Sequence, residues 1–124
     1  MSRAVARACA DLLEDLPEQV ADQQRREVEG DGYAAAWGDP AIELRCGVPR
    51  PPGLTRFAAC QEVDGVGWCV PASQQAGDTV TITTIGRVPR VSVRIPPELS
   101  PPATSMVDLG PAVKRELRQV QPCV

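Results

Sequence analysis

Apolar side chains recur at intervals of three and four residues near both ends of the chain. The N-terminal set comprises Val5, Ala8, Cys9, Leu12, Leu13, Leu16 and Val20, and the C-terminal set comprises Met106, Leu109, Val113, Leu117 and Val120. This spacing is typical of helices with one buried face. We expect the first helix to kink or restart at Pro17, and residues 22–36 to form a helix tail followed by a loop. Asp108 is the predicted N-cap of the last helix, with Pro111 in its first turn.

Between the two helices the hydrophobic period shortens to two, which indicates half-buried strands. In the clearest run, apolar and charged side chains alternate as Ile42, Glu43, Leu44, Arg45 and Cys46. Residues 91–95 alternate in the same way, and residues 79–85 are rich in β-branched side chains. Glu43 points outward in this pattern, and an outward arginine such as Arg94 is a candidate partner for a surface ion pair.

A hairpin is predicted at Asp64-Gly65, because a type I′ turn needs positive φ at both central residues. Counting outward from the turn pairs Val63 with Val66, Glu62 with Gly67, Gln61 with Trp68 and Cys60 with Cys69. The cysteine pair falls on a non-hydrogen-bonded position, where Cα atoms lie about 4.5 Å apart. That separation is at the short end of what a disulfide tolerates, so a cross-strand Cys60–Cys69 bridge is a candidate.

Successive strands joined by tight turns favour an antiparallel sheet, and two amphipathic helices need one of its faces to cover. The expected fold is α+β: an antiparallel sheet of four to five short strands, with the N-terminal and C-terminal helices packed on one face. A chain of 124 residues is the size of one domain. We therefore expect a single domain over residues 1–124, in which residues 121–124 form a frayed tail.

The composition restricts the available chemistry. A net charge of −3 at pH 7 provides no basic field that would attract nucleic acid. The absence of histidine removes serine–histidine and cysteine–histidine nucleophiles and leaves acid–base catalysis to carboxylates. The acidic side chains of the first helix have the spacing of a solvated face and are Asp11, Glu14, Asp15 and Glu18. We expect no enzyme and no cofactor, and no apolar run reaches the ~20 residues of a membrane-spanning helix.

The five cysteines are the main chemical signal. Cys9 and Cys46 both lie on faces predicted to point inward, so a disulfide between them would tie the first helix to the sheet. The alternative is that both are separate buried thiols. The sequence has no Cys-x-x-Cys motif, so it gives no indication of a metal site. Cys123 is left as a free thiol, a link to another chain, or a rival partner for Cys60 or Cys69. Disulfides persist mainly outside the cytosol, which favours an extracytoplasmic location.

A candidate recognition surface surrounds the predicted turn at residues 37–40. If the ring of Trp37 is exposed beside nearby arginines, an aromatic and cationic surface results, formed by Trp37, Asp39, Arg45 and Arg50. The competing interpretation packs Trp37 over the sheet edge as part of the core.

A family resemblance extends over nearly the whole chain. It is carried by Cys9 with Leu12, Leu16 and Pro17, by Trp37-Gly38-Asp39-Pro40-Ala41-Ile42, by Leu44-Arg45-Cys46-Gly47-Val48-Pro49-Arg50-Pro51, by Val63-Asp64-Gly65-Val66-Gly67-Trp68, and by Val107-Asp108-Leu109-Gly110-Pro111-Ala112-Val113. In this order the residues resemble the actinobacterial family catalogued as domain of unknown function 3515. The resemblance implies an exported or lipid-anchored envelope protein, with a signal or anchor that precedes this domain and is absent from this sequence.

The same resemblance matches Cys9 and Cys46 to the cysteine pair expected in the family, whereas Cys60, Cys69 and Cys123 look like additions. It implies no activity and no catalytic residue. We therefore expect an extracytoplasmic cell-envelope domain with a non-enzymatic binding or scaffolding role, whose partner is an envelope protein or another envelope component. The alternative is a small anionic-ligand binder that uses Arg45, Arg50 and Trp37, and a carboxylate-only enzyme is the least favoured reading.

Overall fold

A computed structural model describes residues 2–28, 32–49, 60–70, 79–99 and 102–120. Two α-helices lie in these residues, α1 at Arg3–Asp15 and α2 at Pro102–Glu116, and a short 3₁₀ turn at Pro97–Leu99 precedes α2. The strands are β1 (Gln19–Val20), β2 (Gln23–Arg26), β3 (Ala34–Trp37), β4 (Ile42–Cys46), β5 (Cys60–Val63), β6 (Val66–Cys69), β7 (Val80–Ile85), β8 (Arg87–Val88), β9 (Val91–Ile95) and β10 (Arg118–Gln119).

Eight of these strands form one antiparallel sheet in the spatial order β1-β2-β3-β4-β9-β7-β6-β5. The short strands β8 and β10 pair separately with each other. The prediction of an α+β fold with an antiparallel sheet is confirmed. The predicted number of four to five strands is wrong, because the sheet has 8.

One face of the sheet is apolar and shares a buried cluster with both helices. Leu44 of β4, Val93 of β9 and Ile82 of β7 lie side by side in register and are fully buried. Cys9 of α1 and Leu109 of α2 belong to the same cluster. The strict alternation predicted for residues 42–46 and 91–95 is confirmed, since alternate side chains of both strands are buried.

The first helix ends at Asp15, two residues before Pro17, and does not restart there. The hydroxyl of Ser2 caps its start by accepting from the Val5 amide at 3.1 Å. Leu16 is extended, with φ −66° and ψ 144°, as expected for a residue before proline. The predicted helix tail and loop over residues 22–36 is therefore wrong, and β2 and β3 lie there.

The hairpin between β1 and β2 explains why this region was mispredicted. Its turn residues Ala21 and Asp22 both have positive φ, 51° and 63°, between the paired residues Val20 and Gln23. Such a turn usually contains glycine or asparagine, and this turn, Ala21-Asp22, has neither. The carboxylate of Asp108 stabilises it from a distance by accepting from the Ala21 amide at 2.8 Å.

The second helix begins six residues before Asp108, so the predicted N-cap is wrong. Pro102 occupies the first helical position, where a missing N–H loses no hydrogen bond. Pro111 consequently lies inside the helix and not in its first turn.

The chain leaves α2 through β10. The Val120 amide donates to the carbonyl oxygen of Gly86 at 2.7 Å, and the Val120 side chain is exposed. The predicted tail at residues 121–124 lies outside the described residues. In the ranges given above, neither helix is long and apolar enough to cross a bilayer.

Candidate functional site

The face of the sheet opposite the buried cluster carries a continuous row of six side chains, here called the outer row. Because directly paired residues of an antiparallel sheet project to the same side, the register assigns its members without ambiguity. From β3 to β5 they are Ala34, Arg45, Ser92, Thr83, Cys69 and Cys60. The row brings a guanidinium group, two hydroxyl groups and two sulfur atoms to one surface.

Arg45 is the exposed member of the outer row. Its direct neighbours are the small side chains of Ala34 and Ser92, which leave the guanidinium accessible. The next residue along the row, Thr83, is only 4% exposed. Arg45 forms no hydrogen bond or ion pair with the residues that the structure describes. Its five N–H donors are therefore available to an acceptor outside this part of the chain.

A neighbouring row places Glu43 directly opposite Arg94. Nη1 of Arg94 lies 4.0 Å from Oε2 of Glu43, and the two side chains are 64% and 45% exposed. The predicted ion pair between these residues is confirmed. Such a solvated pair contributes little to stability, but it places a carboxylate beside Arg94, whereas Arg45 has no carboxylate partner among the described residues.

Trp37 does not belong to a recognition surface, and that part of the prediction is wrong. The ring is fully buried, and its Nε1 donates to the carbonyl oxygen of Pro17 at 3.0 Å. The ring therefore fastens the chain after α1 to the end of β3, as the competing core interpretation required. Asp39 is exposed and lies 4.0 Å from Arg26, while Arg50 lies outside the described residues. The structure does not bring Trp37 and Arg45 together.

The predicted disulfide between Cys9 and Cys46 is present, with a Cα–Cα distance of 5.6 Å. It joins the buried face of α1 to the end of β4. Both cysteines are buried, Cys9 fully and Cys46 almost so. This bond fixes the strand that carries Arg45, since Cys46 is the next residue.

The hairpin register is confirmed for all four pairs, and the turn residues Asp64 and Gly65 both have positive φ, 51° and 86°. The predicted Cys60–Cys69 disulfide is wrong. Cys69 is a buried free thiol, whereas Cys60 is disulfide-bonded to another cysteine. The register places Cys60 and Cys69 opposite each other, but it does not determine which cysteine forms the disulfide with Cys60. Cys123 lies outside the described residues. Burial raises the pKa of the Cys69 thiol above its ordinary value of 9.0.

Arg87 is a buried cation, and nothing in the sequence pattern indicates its burial. It is 8% exposed, and its guanidinium donates to the carbonyl oxygens of Leu117 at 2.7 Å and Gly65 at 3.2 Å. A longer contact of 3.5 Å reaches the carbonyl oxygen of Lys114. Carbonyls at a helix C-terminus carry partial negative charge, so they compensate the guanidinium. Arg87 is therefore committed to the fold and unavailable to a ligand.

The acidic face of α1 is partly engaged by α2. Oδ2 of Asp15 accepts a hydrogen bond from Nε of Arg115 at 2.8 Å, and this bond raises the pKa of Arg115 above its ordinary value. Asp11, Glu14 and Glu116 line the same open cleft. Across the ranges that the structure covers, no three acidic or cysteine side chains are grouped in a way that would hold a metal ion.

The model of a family described as "Protein of unknown function (DUF3515)" matches residues 2–122. The match covers nearly the whole chain and includes the outer row and the Cys9–Cys46 disulfide. No curated protein and no solved structure matches the chain.

Proposed function

We propose that this chain, which belongs to the DUF3515 family, is an extracytoplasmic cell-envelope domain that binds or scaffolds another envelope component without catalysing a reaction. An oxidising compartment is supported by the Cys9–Cys46 disulfide and by the disulfide of Cys60. The observation that carries the binding role is Arg45, an exposed cation without a partner in the described residues.

Rigid presentation supports this role for Arg45. The flanking residues Leu44 and Cys46 are buried, and Cys46 is bonded covalently to α1. The strand β4 is interior to the sheet, between β3 and β9. Because the backbone at Arg45 is already fixed, binding orders only the side chain and not the main chain, which lowers the entropic cost of the contact.

The chemistry of the outer row favours an anionic group on the partner. A guanidinium group binds a carboxylate or a phosphate through two parallel hydrogen bonds. The hydroxyl of Ser92, on the adjacent strand, is a further donor beside it. The same residues support the second candidate function, binding of a small anionic ligand. Buried Trp37 takes no part in either proposal.

A photo-crosslinking residue at Ser92 tests the binding role in intact cells. We expect it to capture an envelope component, and we expect Arg45→Glu in the same chain to abolish that adduct. Arg7→Glu is the matched control, because Arg7 is an exposed arginine on α1. Capture that survives Arg45→Glu, or that is lost equally in both variants, would contradict a role for the outer row.

The second candidate has a separate test with purified protein. Inorganic phosphate and citrate at millimolar concentrations should raise the melting temperature of the unmodified chain more than that of Arg45→Gln. Arg7→Gln should behave like the unmodified chain. Equal shifts in all three proteins would exclude an anion site at Arg45.

A further inference from the structure

A free thiol and a disulfide face each other across the β5–β6 hairpin. Cys69 is directly opposite Cys60 in the register, at a non-hydrogen-bonded pair counted from the type I′ turn. At such a position the Cα atoms are about 4.5 Å apart and both side chains project to the same face of the sheet. Cys60 is already oxidised, while Cys69 is not.

We infer that this hairpin is a thiol–disulfide exchange switch, in which the Cys69 sulfur attacks the Cys60 disulfide. The inference goes beyond the proposed function and does not depend on it. Cys69 first loses its proton, and its thiolate then forms a bond to Sγ of Cys60. The bond between Cys60 and its present partner breaks, and that partner leaves as a thiolate, which takes up the proton. The number of disulfides stays the same, so no external oxidant or reductant is consumed.

The two cysteines differ in exposure, and the burial of Cys69 blocks the exchange in the folded state. Cys60 is half-buried on β5, the last strand of the sheet, where a disulfide can be reached and a leaving thiolate released. Cys69 is 5% exposed on the inner neighbour β6. Burial holds its thiol protonated at neutral pH, and only the thiolate attacks. The exchange is therefore blocked in the folded state, and it begins when β6 becomes solvated or the pH rises.

Few other groups on this face bear on the reaction. Next to Cys69 in the outer row stands Thr83 of β7, whose hydroxyl is uncharged. Glu62 of β5, which pairs with Gly67, lies on the same face. Its carboxylate is negatively charged and therefore opposes formation of the Cys69 thiolate. The product is a Cys60–Cys69 bond within one hairpin. Exchange thus frees whatever part of the chain the present Cys60 disulfide tethers.

Peptide mapping of the full chain, purified without reductant, tests the exchange. The protein is incubated between pH 7 and pH 9, with and without a low concentration of urea, then quenched with acid and alkylated. We expect the Cys60–Cys69 peptide to appear as the original Cys60 peptide disappears, with the number of free thiols per chain unchanged. The rate should rise about tenfold per pH unit below the pKa of the thiol. The Cys9–Cys46 peptide is the internal control and should remain constant.

Two variants distinguish exchange from unfolding. Cys69→Ser and Cys69→Ala should both keep the original Cys60 linkage under every condition, with the Cys9–Cys46 bond as evidence that they fold. A mixture of both Cys60 linkages in the freshly purified chain would support the inference. Complete retention of the original Cys60 linkage after prolonged incubation at pH 9 with urea would overturn it, as would rearrangement at the same rate in either variant.

Discussion

The guanidinium of Arg87 donates a 2.7 Å hydrogen bond to the carbonyl oxygen of Leu117, just beyond the end of α2. The same group reaches the carbonyl oxygen of Gly65 in the β5–β6 turn at 3.2 Å. One buried side chain thus fastens the C-terminal helix to the hairpin that carries the two opposed cysteines. All of its acceptors are main-chain oxygens, so its removal takes the donor from the buried bond to Leu117 and from the part-buried bonds to Gly65 and Lys114.

We expect Arg87→Ala to lower the free energy of unfolding by about 2–4 kcal/mol, because hydrogen bonds to a charged group are lost and the buried bond to Leu117 loses its donor. Arg87→Lys should be intermediate, since one ammonium cannot reproduce the planar fork of donors. Urea unfolding measures the free energy of unfolding of both variants. Arg94→Ala is the control and should change stability by less than about 1 kcal/mol, as expected for an exposed pair. Equal losses in the two alanine variants would show that Arg87 has no special role.

Asp108→Ala should destabilise the protein by about 1–2 kcal/mol through loss of the bond to the Ala21 amide. The effect should appear in urea unfolding and as faster hydrogen exchange at Ala21. Asp11→Ala removes an exposed carboxylate from α1 and provides the comparison. Unchanged exchange at Ala21 in the Asp108 variant would mean that the turn holds its positive φ values without help from α2.

Ser105→Ala should stabilise the protein by about 1 kcal/mol. The Ser105 hydroxyl is fully buried in α2 and has no hydrogen-bond partner in the part of the chain that the structure describes, and alanine has the higher helix propensity. Thr104→Ala, at an exposed position of the same helix, shows the contribution of propensity alone. If Ser105→Ala destabilises the protein, an ordered water satisfies this hydroxyl in solution.

The Cys69 thiol makes stability depend on pH at the alkaline end. Its pKa in the folded protein lies above the ordinary value of 9.0, so the folded state retains a proton that the unfolded state releases. This contribution is fully present below pH 9 and is lost as the pH rises toward the folded pKa, with a slope of at most about 1.4 kcal/mol per pH unit. Urea unfolding from pH 7 to pH 10.5 should show this decline, and Cys69→Ala should lack it. Parallel curves for the two proteins would contradict the assignment.

Removal of the Cys9–Cys46 disulfide by Cys9→Ala and Cys46→Ala together should lower stability by about 3–4 kcal/mol, as chain entropy predicts for a closed loop of 37 residues. Thermal unfolding measures the loss. The difference in stability between the unmodified chain and the double variant should vanish when both are measured under reducing conditions. A loss of stability below about 1 kcal/mol would show that packing of α1 alone holds it against the sheet.

The parts of the fold that were predicted correctly are those in which side-chain pattern and local turn chemistry agree. Residues 42–46 and 91–95 alternate because one face is buried and the other is polar, and Asp64-Gly65 sets the hairpin register. Since register follows from local chemistry, the Glu43–Arg94 pair could be anticipated from the outward positions of the two residues.

Several of the incorrect predictions share a different cause, a contact with a distant part of the sequence. The positive φ of Ala21 is supported by Asp108, which is 87 positions away. The strand β2 is short and polar and has no hydrophobic alternation that would identify it. The ring N–H of buried Trp37 is satisfied by the carbonyl oxygen of Pro17, and a one-dimensional pattern does not contain that contact. For the same reason, the choice of partner for Cys60 did not follow from the hairpin register.

The bond between Cys9 and Cys46 also determines how the molecule carries mechanical load. Tension applied at the two ends of the chain passes through sulfur from α1 directly into an interior strand, and bypasses β1, β2 and β3 entirely. In a force-extension experiment those three strands should contribute no contour length until the bond is reduced, after which the fully stretched chain lengthens by about 130 Å. When force is applied at its termini, nearly a third of the sequence would thus bear no tension while this disulfide is intact.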